Sequence, residues 1–256
     1  MNWSWSRIKL YAACPAAYKL RYIDHVKEPL TDTFTQGRWL HETIAAYARH
    51  CYAAGASSSS TWLEARRQTA EHGWQRDICD RLRDTMVFDW TTALVDKKHR
   101  GVEHPFNLPL PNGDRVSGRV DFAQYSALND TLIITDWKLG YAMPSDESCP
   151  GQLLVYAWAM LQELPSSIGS VEATYSYPCI GRERSWSLEP PIDIDWLVEA
   201  IEQIKRDQAF VATPSVAACS RCGYALSVCP EMEQEQLLCA THEQAQALLG
   251  QIAVFE

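Results

Sequence analysis

A chain of 256 residues, 46% of them hydrophobic, has enough apolar surface for one large core. It holds no run of about 18 apolar residues, so no membrane span is expected. Its start, Met1-Asn2-Trp3-Ser4-Trp5-Ser6-Arg7, lacks the charged-then-apolar order of a secretory signal. A cytoplasmic protein is expected, with its nine cysteines as free thiols or metal ligands rather than disulfides. The formal charge of −9 argues against a passive nucleic-acid coat, whose affinity rests on neutralising phosphate. It is compatible with clustered acids that hold divalent metal. The basic groups Arg7/Lys9, Lys19/Arg21, Arg66/Arg67, Lys97/Lys98/Arg100 and Arg182/Arg184 read as solvated surface pairs.

In chain order, Leu40, Ile44, Tyr47 and Cys51 recur at helical spacing and predict a helix over about 35–54. Ala56-Ser57-Ser58-Ser59-Ser60 reads as a loop. Trp62 to Lys98 reads as one or two helices, with Trp74, Ile78 and Leu82 every four residues. The period then changes to two. Glu103 to Leu110 predicts a strand and Pro111-Asn112-Gly113-Asp114 a turn. Val116, Gly118, Val120 and Phe122 alternate with Ser117, Arg119, Asp121 and Ala123 in a second strand. After a turn at Asn129-Asp130, Leu132, Ile134, Asp136 and Lys138 share one face of a third. Pro150 suits the first turn of a helix to about Leu164. Val171 to Tyr175 and Arg182 to Leu188 predict two further strands. Asp193 or Asp195 can cap a helix bearing Leu197, Ile201 and Ile204. This order is that of an α/β core with a helical N-terminal elaboration.

Asp136 and Lys138, two apart on a strand, are suited to phosphodiester hydrolysis. The carboxylate can bind a hard divalent ion that lowers the pKa of bound water. The ammonium can orient water or stabilise charge on phosphate oxygens. Asp-Trp-Lys closes an apolar strand, Leu132-Ile133-Ile134-Thr135, which sets these charges at the border of the core rather than on a surface edge. Asp121 can share the metal if its strand is a neighbour. Gln152 and Tyr156 lie four apart on the next helix, on one face, placed either to hydrogen-bond within the core or to face the site. His41, beside the Leu40/Ile44 face, is structural or a ligand.

These residues resemble the RecB-type nucleases of the PD-(D/E)xK superfamily. Gly37 to His41 is similar to the family's Gly-x-x-x-His helix, and Gly118 to Asp121 to its Gly-x-(hydrophobic)-Asp strand. Asp136-Trp137-Lys138 matches the Asp-(aromatic)-Lys strand and Gln152 to Tyr156 the Gln-x-x-x-Tyr helix, all in the family order. The resemblance implies that His41, Asp121, Asp136 and the main-chain carbonyl of Trp137 ligate Mg²⁺ or Mn²⁺. It makes Lys138 the catalytic lysine, with Gln152 and Tyr156 supporting the site. Glu103 resembles an acidic residue that often precedes the first core strand.

Cys14 stands near the start of the chain, in Cys14-Pro15; Cys219, Cys222 and Cys229 stand near its end. One cysteine before the nuclease motifs and three after them resembles the [4Fe–4S] branch of the family, which includes AddB-type nuclease domains and small CRISPR-associated exonucleases. Six residues separate Cys222 from Cys229 where about five are usual, and an extra loop residue can bulge without moving the sulfurs. Four thiolates also suit Zn²⁺. Zinc sites more often use two close pairs, so a distant single cysteine with a triplet favours the cluster. Bringing Cys14 to Cys219 closes a loop of about 200 residues, an entropy of about 5 kcal/mol that such a clasp would hold.

The expectation is a restriction-endonuclease-like mixed sheet flanked by helices, in one domain over 1–256. Its parts are a helical elaboration (1–98), a nuclease core (99–210), an iron–sulfur clasp (211–230 with Cys14) and a C-terminal helix or tail (231–256). By resemblance it acts on DNA, as an exonuclease on single strands or ends. It has no P-loop of its own, so helicase, recombination or CRISPR-adaptation proteins are its expected partners. CRISPR-associated members usually carry Glu where this chain has Asp136, which tilts away from that role. A non-cutting DNA-end binding subunit and an RNA-directed nuclease are the alternatives.

Overall fold

The structure is a computed structural model and describes residues 1–29, 32–54, 60–86, 101–126, 129–140, 143–144, 148–164, 168–220, 222–225 and 227–229. Its elements are β1 (Asn2–Trp3), α1 (Trp5–Ala13), α2 (Pro15–Tyr22), α3 (Asp32–Ala54), α4 (Ser60–Gln68), α5 (Gly73–Thr85) and β2 (Val102–Pro109). There follow β3 (Arg115–Ser126), β4 (Thr131–Trp137), α6 (Gly151–Glu163), β5 (Ser170–Tyr177), β6 (Arg182–Leu188), α7 (Asp195–Arg206) and α8 (Val216–Cys219). They form two compact units: Met1–Trp5 with Asp32–Gln203, and Ser6–Thr31 with Ile204–Glu256. The expected C-terminal helix or tail over 231–256 lies outside the described residues, as does the Lys97/Lys98/Arg100 group.

The first unit is built on a mixed six-stranded sheet in the order β1-β3-β4-β5-β6, with β2 pairing β3. β3 is the long central strand. It runs antiparallel to β2 from Val102↔Phe122 to Pro109↔Arg115 and antiparallel to β4 from Phe122↔Thr135 to Ser126↔Thr131. β4 and β5 are parallel, with α6 as the crossover, as a parallel connection requires. The β2–β3 turn uses Gly113 at φ 83, a left-handed conformation that glycine adopts without steric cost. This is the mixed α/β sheet flanked by helices that the sequence implied.

α3 forms because Leu40, Ile44, Tyr47, Ala48 and Cys51 make one apolar stripe, and all five are buried. They join Leu63 of α4, Ile78 and Leu82 of α5, and Val102, Phe122 and Trp137 of the sheet in one core. Two helices, α4 and α5, occupy the described part of the expected 62–98 segment. Gln75 fixes the start of α5 by accepting the N–H groups of Glu71 (2.7 Å) and His72 (2.9 Å). α6 starts at Gly151, one residue beyond Pro150. A Cβ at Gly151 would stand 2.6 Å from the Trp5 ring, so a larger residue there would have to displace that ring. Asp193 begins α7 by accepting the Asp195 N–H at 2.8 Å. β1 has two residues, too few for a period to show in sequence.

Protein contacts join sequence-distant segments in the second unit. Tyr11 donates to Asp207 (2.7 Å), Thr213 to the Ala13 carbonyl (3.0 Å) and Tyr224 to the Val26 carbonyl (2.9 Å). The Gly223 N–H donates to Glu28 (3.2 Å), and the Tyr18 ring stacks on Phe210 with centroids 6.0 Å apart. Among the described residues no helix is long and apolar enough to cross a membrane.

Gly118 has a packing role in the β2–β3 ladder. It pairs with Phe106 across the β2–β3 ladder, and a Cβ there would stand 2.6 Å from the tip of the Phe106 ring. That ring in turn packs edge-on against Tyr156, centroids 6.1 Å apart. Gly118→Ala is expected to lower the unfolding free energy by about 1–3 kcal/mol, as overpacking does. Phe106→Leu in the same chain should recover part of the loss in a urea-denaturation double-mutant cycle. Additive effects in that cycle would show that the two positions do not press on each other.

Candidate active site and cysteine cluster

Three carboxylates occupy one rung of the sheet. The β3–β4 ladder ends at Phe122↔Thr135, and continuing that register sets Asp121 opposite Asp136. On the other side of β3, Val102 pairs with Phe122 and His104 with Val120, which sets Glu103 at the same rung as Asp121. Both ladders lapse there. Glu103 adopts φ 54, a left-handed conformation uncommon for a residue with a Cβ. Asp121 replaces the missing ladder bond by accepting the Trp137 N–H at 2.9 Å. The sheet thus gives up main-chain pairing where it gathers charge, a pattern associated with functional sites.

α3 brings His41 to this rung. Its Nδ1 stands 3.2 Å from Asp121 Oδ2. His41, Glu103 and Asp121 each offer a ligand atom within 4.8 Å of the other two, a mixed O/N donor set that suits a hard divalent ion. The sequence placed Asp136 in the ligand set and Glu103 at its margin; the structure groups Glu103 with His41 and Asp121, and engages Asp136 otherwise. Asp136 is 1% exposed. Its Oδ1 accepts from Gln152 Nε2 at 2.6 Å. Its Oδ2 is ion-paired with Lys138 Nζ at 2.5 Å.

Gln152 organises the polar side of the site. Its Oε1 accepts from Lys138 Nζ at 2.9 Å and its Nε2 donates to the Tyr156 oxygen at 3.0 Å. Gln152 thus hydrogen-bonds to Asp136, Lys138 and Tyr156 together. Tyr175 was not singled out from sequence. It pairs with Asp136 in the β4–β5 register, and its ring lies 4.5 Å from Lys138 Nζ in a cation–π contact. The signal that could have found it is the parallel register, which a single strand's pattern does not contain. Trp137 points into the core against Phe122, centroids 6.3 Å apart.

The electrostatics follow from this crowding. Burial raises the Asp136 pKa from its ordinary 3.8 to about 6; Lys138 opposes the rise and Asp121 adds to it. Burial likewise raises Glu103, helped by Asp121 and opposed by Arg119 and His41. For His41, burial pulls the pKa down, but Asp121, Asp136 and Glu103 together outweigh it and hold the imidazole above its ordinary value. Burial, then the carboxylates, push the Tyr156 and Tyr175 hydroxyls well above the tyrosine range, so both stay neutral donors. Without metal the site holds extra protons, which a divalent cation would displace.

In the second unit, Cys14, Cys219, Cys222 and Cys229 line one small apolar cavity of about 30 Å³, with Leu20 and Tyr224 among its walls. All four are free thiols and partly buried. α8 ends at Cys219, and the Cys222 N–H donates to the Cys219 carbonyl at 3.2 Å, a turn that directs both side chains to one side. Among the described residues no three of these sulfurs come within 4.8 Å of one another. Cys51, Cys79 and Cys179 are buried packing residues, and burial pushes the Cys149 thiol up to about 12.

No curated protein matches the chain. Among solved structures, the crystal structure of SSO0001 aligns at 19% identity over 52% of this chain and 60% of that one, with a TM-score of 0.32, a likeness too slight to bear on fold or function. A family model matches far more of the chain, across residues 2–230, which takes in the sheet, α3, α6 and all four cysteines of the cavity. On that match, and with a carboxylate rung, histidine and lysine gathered in one unit, the chain belongs to the PD-(D/E)XK nuclease superfamily.

Proposed function

We propose that this protein is a divalent-metal-dependent deoxyribonuclease of the RecB type, acting as an exonuclease on single-stranded DNA or DNA ends. The observation that carries this reading is the rung Glu103–Asp121–Asp136, with His41 above it and Lys138 tied to Gln152 beside it. His41, Asp121, Asp136 and the Trp137 carbonyl, with Glu103, are the residues to hold Mg²⁺ or Mn²⁺. When bound, the ion supplies Lewis acidity at the scissile phosphate and a more acidic water. Lys138, oriented by Gln152 and Tyr175, positions that water or stabilises the developing phosphate charge. Tyr156 and Gln152 hold the geometry of the carboxylate side. A non-cutting DNA-end binding subunit is less well supported, since every motif position retains its chemical group. Helicase, recombination or CRISPR-adaptation proteins that deliver DNA ends are the partners this reading implies.

We infer further that the four cysteines hold a [4Fe–4S] cluster as a structural element. A single distant cysteine with a triplet suits a cubane better than a zinc site, which more often uses two close pairs. Protein purified without oxygen should be brown, with roughly four irons per chain. Cys14→Ala or Cys222→Ala should bleach it and lower its melting temperature. Colourless protein with one zinc per chain would replace the cluster by zinc.

Asp121→Ala and Asp136→Ala should each cut turnover by orders of magnitude on end-labelled single- and double-stranded DNA with Mg²⁺ or Mn²⁺. Lys138→Ala should lose turnover while keeping metal affinity. Full activity in either aspartate variant, in protein free of contaminating nuclease, would refute the site.

Metal-free protein should show the strain at Asp136 as a pH effect. Its folded pKa is raised, so ionisation destabilises the fold: the cost is absent below about pH 4 and complete above about pH 6. Asp136→Asn should therefore melt higher than unchanged protein at neutral pH with EDTA, the advantage vanishing in acid. Mn²⁺ should raise the melting temperature of the unchanged protein, because it binds only the folded state. Equal melting of the two proteins across this range would show that Asp136 ionises at no cost.

A further inference from the structure

A cleft of about 430 Å³ opens beside His41, Glu103 and Asp121, and one stripe of α3 forms its wall. Arg38, Glu42, Ala45 and Arg49 follow one another at steps of four, three and four residues, so they share a helix face. Arg119 of β3 lines the cleft from the sheet.

The charges there are matched but unevenly committed. Arg38 donates to Glu42 at 2.8 Å, and Arg119 donates to Glu103 at 3.2 Å. Arg49 is exposed and has no ion-pair partner among the described residues. Three guanidiniums thus face three carboxylates, Glu42, Glu103 and Asp121. If Glu103 and Asp121 serve as metal ligands, their charge is taken up by the ion. Arg119 is then released toward the cleft, and the wall becomes net positive. Guanidinium is the group best matched to phosphate oxygens, through paired N–H donors.

We propose that this cleft is a phosphate-binding subsite for the DNA strand next to the scissile bond, held by Arg49 and, once metal is bound, by Arg119. The proposal rests on the nuclease reading and adds the route of the strand: along the α3 face from the metal trio toward Arg49. It also makes strand binding conditional on metal, because the same carboxylates that hold the ion otherwise occupy Arg119.

Fluorescence anisotropy with a short labelled oligothymidylate tests it, in Ca²⁺ and in EDTA, over a salt series. The unchanged protein should bind more tightly in Ca²⁺. Arg49→Glu should weaken binding about tenfold and reduce the slope of log affinity against log salt by about 0.7 to 1, the loss of one phosphate contact. Arg49→Lys should keep most of the affinity. Its melting temperature should not move, since the side chain is exposed. Arg119→Gln should lower affinity in Ca²⁺ and leave the weak EDTA binding unchanged. Unaltered affinity and salt slope in Arg49→Glu, in protein that still cleaves DNA, would overturn the subsite and leave the nuclease reading standing. Absence of both cleavage and metal-dependent binding in the unchanged protein would overturn the two together.

Discussion

The structure around the site depends on one electrostatic constraint: three acidic side chains on adjacent strands share a single rung. Like charges directly opposite each other in a sheet are destabilising, and burial adds to that cost. The chain answers with several local devices. Glu103 takes a left-handed backbone conformation, Asp121 accepts the Trp137 N–H, and Asp136 takes a side-chain amide from Gln152 and a nearby ammonium from Lys138. None of these removes the charge. The remaining imbalance makes the rung a receptor for a small, highly charged cation, and local instability is the source of that affinity.

The surrounding shell holds the rung in register. Gln152 bridges Asp136 and Lys138, so the acid and the base cannot drift independently. Tyr175 walls Lys138 with its ring, and Tyr156 is backed by Phe106, which can lie flat only because residue 118 has no side chain. The glycine of a short sequence motif is thereby connected, through two aromatic rings, to the amide that orients the lysine. Such support distinguishes a preorganised centre from a loose gathering of polar groups.

Much of this was legible in the sequence, and the failures are instructive. Period-two alternation placed β2 to β4, and period 3.6 placed α3, because these elements bury one face and expose another. Asp121, Asp136, Lys138 and Gln152 stood out because they interrupt apolar runs. Glu103 was only marginal and Tyr175 invisible, since each owes its place to the residue across the ladder, and cross-strand register is not written in either strand alone. β1 went unread because two residues carry no period. The closure of the second unit was anticipated only through Cys14 and the C-terminal cysteines; its other contacts between residues some 200 positions apart, such as Gly223 with Glu28, are reported by no local pattern.

That long-range closure has a consequence for biosynthesis. Residues 6–31 emerge from the ribosome early, yet the groups that receive Val26, Glu28 and Tyr18 (Tyr224, Gly223 and Phe210) lie some 190 residues later. At about 5–20 residues per second, the early segment waits about 10–40 seconds for its partners. During that interval the intervening sheet can form, while Ala16, Ala17 and Tyr18, buried in the finished protein, still lack the C-terminal part of their unit, Phe210 included. The N-terminal helices are therefore the part of the chain with the greatest need of a chaperone during translation, and the part that a prematurely terminated product would leave exposed to proteolysis.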